Sequence, residues 1–387
     1  MYYLVLLVLL VGCFIEIFQR KKYRQLFLLV YGLMTLMAIF RFGQLGDYFD
    51  YYYLYQTPVL LRDPLFIAYA MAFQFFGASY QFFLTVTELI CFALAFPFFY
   101  RTCRCSCISL LVFYCYTYLT CPMSALRQAV CLSLLLCSYS MLVEKKKILF
   151  FLMVGIGSLI HLSFFAVALI GLLYDIRIYN KPIIIVIAVL ATGLMLSGVD
   201  LTAVVINRIG FENRTIRDVS SGAFDNLIQL ALRLILMVPL LLFRPAYGSN
   251  GYYAKAICLI GYVLYCLLSS QILVAGRIEY FFRTFLCLFV AELSRGLGSK
   301  YSFISIRISP RRNRKPTAKK AFANMRMAVL SLFVLAHVVL FYKNLGGFIS
   351  QGSYKDNVTI YNFPYISIFD KSAIDYYTDI DKYNYDK

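Results

Sequence analysis

Charge is scarce in this chain, and what there is leans one way. Only 14% of its 387 residues are charged, against about a quarter in soluble domains. Acids are rarest, with 19 Asp and Glu beside 37 Lys and Arg; histidine occurs twice and tryptophan not at all. A composition so poor in charge excludes an ordinary water-soluble domain. Also missing are a glycine-rich phosphate loop, a Walker lysine and a nucleophile elbow, so no nucleotide-dependent or hydrolase motif can be read. Twelve cysteines are present, but Cys91, Cys131, Cys137, Cys258, Cys266 and Cys287 lie inside apolar runs, where they act as small hydrophobes. The Cys103, Cys105, Cys107 cluster lacks the histidine or second cysteine pair of a zinc site. No metal and no cofactor is expected.

What fills the chain instead is apolar: 61% of it is hydrophobic, with a mean hydropathy of +0.74. Blocks near the ~20 residues that cross a bilayer recur from end to end, and they are continuous rather than alternating. That predicts an all-α, polytopic membrane protein, because a lipid-embedded backbone must satisfy its own hydrogen bonds. The block 2–18 has neither a basic stretch before it nor a small-residue cleavage site after it, so it reads as a retained helix. Twelve spans are expected: 2–18, 25–40, 81–100, 107–121, 124–143, 148–160, 162–174, 182–198, 226–243, 254–275, 278–295 and 326–342. The net charge of +18 then belongs to cytoplasmic loops rather than to a nucleic-acid partner. With the N-terminus outside, Arg20 to Arg24, Lys145 to Lys147 and the run Pro310 to Lys320 all fall inside. Segment 64–80 must then be re-entrant or interfacial, and the block 148–174 must break into two short helices near His161. The expected organisation is one transmembrane domain, 1–342, with a basic loop at 296–325, and an outer tail, 343–387.

Several polar residues on the expected outer face need a reason. In CPMSALRQA, 121–129, Ser124 is the natural N-cap, which puts Arg127 in a first helical turn where acids are preferred. A cation there makes sense if an anion sits at the same terminus, held by N–H groups and guanidinium together. In AGRIEYFFRTF, 275–285, Gly276 opens a span with Arg277 in its first turn and Tyr280 on the same face. Glu279 and Arg283 are spaced to neutralise each other. Arg233 lies deep in a span with no acid in its own helix, so its partner cannot be read. His161, beside Ser163, has the near-neutral pKa of a general base. The strip RFGQLGDYFDYYYLYQ, 41–56, sets Asp47 and Asp50 near Arg41 among five tyrosines. Tyr52, Tyr53 and Tyr55 suit an interfacial aromatic belt. The acids do not, and they point to a site in which tyrosine rings stack on sugars.

Taken in order, these motifs resemble the EpsG-like family of Wzy-type bacterial polysaccharide polymerases. The resemblance rests on Arg41, Gly43, Gly46, Asp47, Tyr48 and Tyr51, then RDPLF (62–66), SALRQA (124–129), HLS (161–163), GRIEYFF (276–282) and NFPY (362–365). It covers nearly the whole chain. RDP, where acidic-Pro is more usual, leaves the role of Asp63 open. The resemblance implies a multi-pass protein of the bacterial cytoplasmic (inner) membrane. It implies a glycosyltransferase acting at the outer face on oligosaccharide units carried by undecaprenyl pyrophosphate. On that reading Arg127, Arg277 and Arg41, with Ser124 and Gln128, hold the pyrophosphate. His161 or Asp47 is the base, and Tyr48, Tyr51 and Tyr280 bind glycan. Partners are the lipid-linked substrates and membrane lipids; whether a chain-length regulator binds stays open.

Two other classes compete. A flippase or transporter would use arginines and tyrosines equally well, but it should show internal repeats, and no repeat pair is found. A membrane acyltransferase would rest on His161 alone.

Overall fold

The computed structural model describes residues 1–19, 23–43, 47–58, 63–103, 107–174, 182–197, 223–245, 249–269, 271–294, 302–303, 316–350 and 354–378. Gly46, Arg62, Cys105, Arg20 to Lys22 and most of the 296–325 loop lie outside them. Almost everything described is helical. The helices are α1 (Tyr2–Gln19), α2 (Arg24–Phe40), α3 (Tyr48–Gln56), α4 (Pro64–Phe75), α5 (Tyr80–Pro97), α6 (Cys107–Val112), α7 (Leu126–Val143) and α8 (Lys147–Ile160). After these come α9 (Ala168–Leu173), α10 (Pro182–Leu196), α11 (Ala223–Leu242), α12 (Asn250–Leu267), α13 (Ile272–Arg283), α14 (Leu286–Ser294), α15 (Pro316–Phe348) and α16 (Ala373–Tyr377). Wider π-turns extend α5 over Phe98–Thr102 and α6 over Phe113–Tyr118. A two-residue antiparallel ladder pairs β1 (Phe243–Arg244) with β2 (Ser302–Phe303).

Among the described residues, four helices are long and apolar enough to cross a membrane: Tyr2–Gln19, Tyr80–Thr102, Leu126–Val143 and Met327–Phe348. Shorter apolar helices accompany them, including Arg24–Phe40, Lys147–Ile160 and Leu162–Leu173. Their outward faces are apolar too. On α1, Val5, Leu9 and Cys13 are buried while Leu4, Leu7 and Val11 are exposed. On α8, Phe150 and Val154 are buried while Ile148, Leu152 and Leu159 are exposed. Contiguous exposed aliphatic surface of this extent suits lipid rather than water, and the protein is a multi-pass membrane protein.

The chain forms two compact units, Met1–Phe165 with Val334–Lys387, and Ala166–Phe333. In the first, α1 packs on α6, α2 on α5, α5 on α7, and α7 on α8, with α4 against α8. Buried polar groups tie these helices together. Glu16 of α1 accepts from the Ile108 backbone N–H at 3.2 Å, setting a carboxylate at the positive end of α6. Tyr31 donates to Phe92 O at 2.7 Å and Tyr118 to Met34 O at 2.8 Å. In the second unit α12 is central, packed by α10, α13 and α14. Phe282 fills the space beside Gly261, and Thr192 and Tyr262 share a hydrogen bond of 2.9 Å.

Segment 64–80 holds the short helix α4. Pro64 occupies the first helical position of α4, where its missing N–H costs nothing. Gly77, at φ +67°, ends the segment. Twelve residues make about 18 Å of helix, little more than half a bilayer core of ~30 Å. The helix folds back on α5, with the Tyr69 and Phe73 rings 5.2 and 5.4 Å from that of Phe83.

The break near His161 is also present. α8 stops at Ile160, His161 is extended at φ −158°, and a tighter turn over Leu162–Val167 leads into α9. Gly157 is required there, because the Phe164 ring lies where a side chain would stand. Other helix ends differ from expectation. α7 begins at Leu126 with Ala125 as N-cap and no side-chain cap, so Ser124 does not cap it. Gly276 does not open a helix either: α13 starts four residues earlier, at Ile272, and Arg277 sits mid-helix. α15 runs on to Phe348, past position 342.

The described part of the tail is an ordered cover on the first unit. Phe42 N–H donates to Ile366 O at 3.1 Å and Ile368 N–H to Phe40 O at 2.9 Å, so residues 366–368 lie as a strand along the end of α2. Phe363 and Tyr365 pack edge-on against Tyr2 at 5.5 and 5.9 Å. Tyr365 donates to Met37 O at 3.0 Å. Gly43, at φ +59°, leaves the room that Ile374 fills.

Candidate functional site

Three chain segments converge in the first unit. Arg127 lies in the first turn of α7, at the positive end of the helix dipole. Its Nη1 pairs with Oδ2 of Asp63, the residue just before α4. Its Nε and backbone N–H both donate toward the hydroxyl of Tyr51 in α3, at 3.2 and 3.4 Å. The guanidinium also stands 5.7 Å from the Tyr51 ring centre. Burial pushes the Tyr51 phenol up from its usual pKa, against the opposing pull of Arg127. It is therefore a neutral acceptor at physiological pH. The arginine is thus held at two points yet stays partly open: its side chain is 25% exposed and that of Asp63 is 12% exposed.

The remaining predicted residues fall around this centre or away from it. Asp47 is half-buried at the N-cap of α3, one turn before Tyr51, whose N–H donates to Asp47 O at 2.9 Å. Ser124 and Gln128 are buried beside Arg127 in sequence. His161 is half-buried at the end of α8. It shares an end of the α7–α8 hairpin with Arg127, because Cys131, one turn into α7, donates its thiol to Gly157 O at 3.3 Å.

Arg41 is elsewhere. It is 2% exposed, and its Nη1 bonds Glu88 of α5 at 2.8 Å and Ala38 O at 3.2 Å. Its guanidinium lies inside the helical packing. Tyr48 is likewise enclosed: it donates to Gln81 Oε1 at 3.0 Å, packs on Tyr80, and burial pushes its phenol pKa up to about 12. The tyrosines of the strip that do reach the surface are Tyr52 and Tyr53, whereas Tyr55 is buried and donates to Ala78 O at 2.6 Å.

In the second unit, Arg277 is exposed and Tyr280 half-buried on α13. Glu279, on the opposite side of that helix, bonds Arg233 Nε at 2.7 Å and Arg283 Nη1 at 3.4 Å. Arg233 also lies 3.6 Å above the Tyr265 ring. The i,i+4 pair expected from sequence is there, and it doubles as the partner that Arg233 lacked.

Three ion pairs escaped sequence reading: Asp63, Glu88 and Glu279 as partners of Arg127, Arg41 and Arg233. Only Asp63 left a trace, since Asp before Pro before an apolar run signals a helix start. Among the described residues, no group of three or more His, Cys, Asp or Glu side chains could hold a metal ion. The partly open cation of this arrangement, at a helix N-terminus, can bind a phosphate or carboxylate.

No curated protein and no solved structure matches the chain significantly. A family model described as EpsG family matches residues 24–306, which contain both the Arg127 centre and Arg277. With close to three quarters of its length matched, the chain belongs to the EpsG family, a Wzy-like family of polysaccharide polymerases.

Proposed function

We propose that the protein joins oligosaccharide units carried on undecaprenyl pyrophosphate, at the outer face of the bacterial cytoplasmic membrane. The growing glycan passes from its own lipid carrier to a hydroxyl of the next lipid-linked unit. The bond from the anomeric carbon to the phosphate oxygen breaks, a glycosidic bond forms, and undecaprenyl pyrophosphate leaves. The observation that carries this reading is Arg127, which offers a partly open guanidinium at the positive end of α7. A departing pyrophosphate needs that kind of preorganised positive charge. The acceptor hydroxyl gives its proton to a base, for which His161 and Asp47 are the candidates in the same unit. Arg277, exposed on α13, is the second proposed cation for the anionic substrate, supported now by its exposure rather than by a helix terminus. Ser124 and Gln128 support the Arg127 terminus, and Tyr280 is the glycan contact nearest Arg277 in sequence.

The test is reconstitution of purified protein with lipid-linked repeat units. Arg127→Ala and Arg277→Ala should each abolish long polymer while single lipid-linked units accumulate. Normal polymer length in both variants sinks the assignment, and movement of units across the bilayer without joining would make the protein a flippase.

A further inference from the structure

Asp63 is the residue at which the fold goes beyond this reading. An aspartate directly before a helix normally turns its carboxylate onto the N–H of the second or third helical residue, a bond worth ~1 kcal/mol. Asp63 is the N-cap of α4, yet its side chain makes no such bond. The carboxylate has turned away to Arg127. It stands where an anionic ligand of that arginine would stand, at 12% exposure, beside a guanidinium that Tyr51 anchors independently through Nε. One carboxylate therefore has two places within reach, the Arg127 guanidinium and the start of its own helix. Only the first is filled.

Resting on the pyrophosphate reading of Arg127, we propose that Asp63 is an exchangeable internal counter-ion. In the empty enzyme it neutralises Arg127. When the substrate pyrophosphate arrives, Asp63 yields the guanidinium and caps α4 instead, so a cation in a lipid-facing protein is never left bare. On departure of the lipid pyrophosphate the carboxylate returns, and its return competes the product off the arginine. Asp63 is a positioning and release residue, not the base: a carboxylate bonded to the cation that grips the leaving group sits on the leaving-group side of the reacting carbon. The acceptor hydroxyl attacks from elsewhere.

The exchange is tested with Asp63→Asn, which keeps the shape and the capping ability but drops the charge. Binding of inorganic pyrophosphate to the detergent-solubilised full chain is measured by calorimetry, beside single-turnover and steady-state polymerisation. Asp63→Asn should bind pyrophosphate about tenfold tighter, the scale of one modest charge-assisted hydrogen bond released from competition. Its steady-state rate should fall further than its single-turnover rate, because product leaves slowly. Asp63→Ser, which caps but is uncharged, should behave alike and guards against a folding artefact in one variant. Weaker or unchanged pyrophosphate binding in both variants, with binding lost in Arg127→Ala, overturns the exchange and leaves the pyrophosphate reading intact. Unchanged binding in Arg127→Ala overturns that reading itself.

Discussion

Two arginines of the first unit, Arg41 and Arg127, each meet a carboxylate from a distant part of the chain, and the two pairs could hardly differ more in their access to water. Arg41 and Glu88 are 2% and 0% exposed; Arg127 and Asp63 are 25% and 12% exposed. The closed pair joins the end of α2 to the middle of α5, under the strand that the tail lays along residues 40–42. The open pair joins two helix starts. Charges removed from water are costly and survive only as a matched set, so the closed pair is a joint between helices. A charge that keeps partial solvent access can change partners at a modest cost, so the open pair can serve a ligand. The same residue types at similar sequence separations thus divide into scaffold and site by burial alone.

Removing one partner from each pair should therefore give opposite failures, and these are the largest effects expected. Arg127→Ala should lose all long polymer yet elute as a monodisperse protein with an unchanged melting temperature in detergent. Glu88→Ala should leave the Arg41 guanidinium stranded and cost roughly 3–5 kcal/mol of stability, read as a large fall in Tm. A double variant, Arg41→Met with Glu88→Leu, should recover most of that stability, since matched apolar residues often replace a buried pair without loss. Activity in that double variant makes the comparison sharper still. If it is stable but inactive, Arg41 belongs to the site as well as to the scaffold.

The comparison also explains what could and could not be read from the sequence. The helices were legible because a continuous apolar run in lipid has few alternatives to a helix, and the break at His161 follows from the charge balance of the loops. Arg127 was legible for the same reason, as a cation out of place at a helix start. Its partner was not, because Asp63 reaches it across 64 residues. The partner of Arg41 was not legible either, because a sequence shows that an arginine borders a span but not that Glu88 waits on another helix. Arg277 was placed in a first turn on the strength of Gly276, but glycine in an apolar helix need not mark a boundary, and α13 runs through it. In the strip 41–56, Tyr52 and Tyr53 stayed out as a belt would, but Tyr55, grouped with them from the sequence, went inward with Tyr48 and Tyr51. An unbroken tyrosine run carries no periodic signal to say which ring faces which way.

A smaller effect separates holding the open arginine from supplying it. Tyr51→Phe keeps the ring beside Arg127 and removes only the hydroxyl that accepts from its Nε. The Asp63 contact remains, so the guanidinium loses one of two anchors rather than its charge. A fall of roughly tenfold in polymerisation rate, with stability within about 1 kcal/mol of the parent, is the expected result. A rate equal to the parent's would mean that Asp63 alone orients Arg127.

The smallest effect tests whether exposure is truly the variable. Glu144 and Lys146 form a third pair in the same unit, bonded at 2.7 Å but 58% and 61% exposed. The bond is as short as that of Arg41 with Glu88, so a ranking by distance would make the two pairs equals. Water screens the outer pair and its flexible side chains lose entropy when they meet, which leaves about 0.2–1 kcal/mol. Lys146→Ala should therefore move Tm by no more than a degree or two and leave polymer length unchanged. A loss comparable to that of Glu88→Ala would show that separation rather than burial sets the value of these pairs, and Arg127–Asp63 would then have to be regarded as a fixed structural joint.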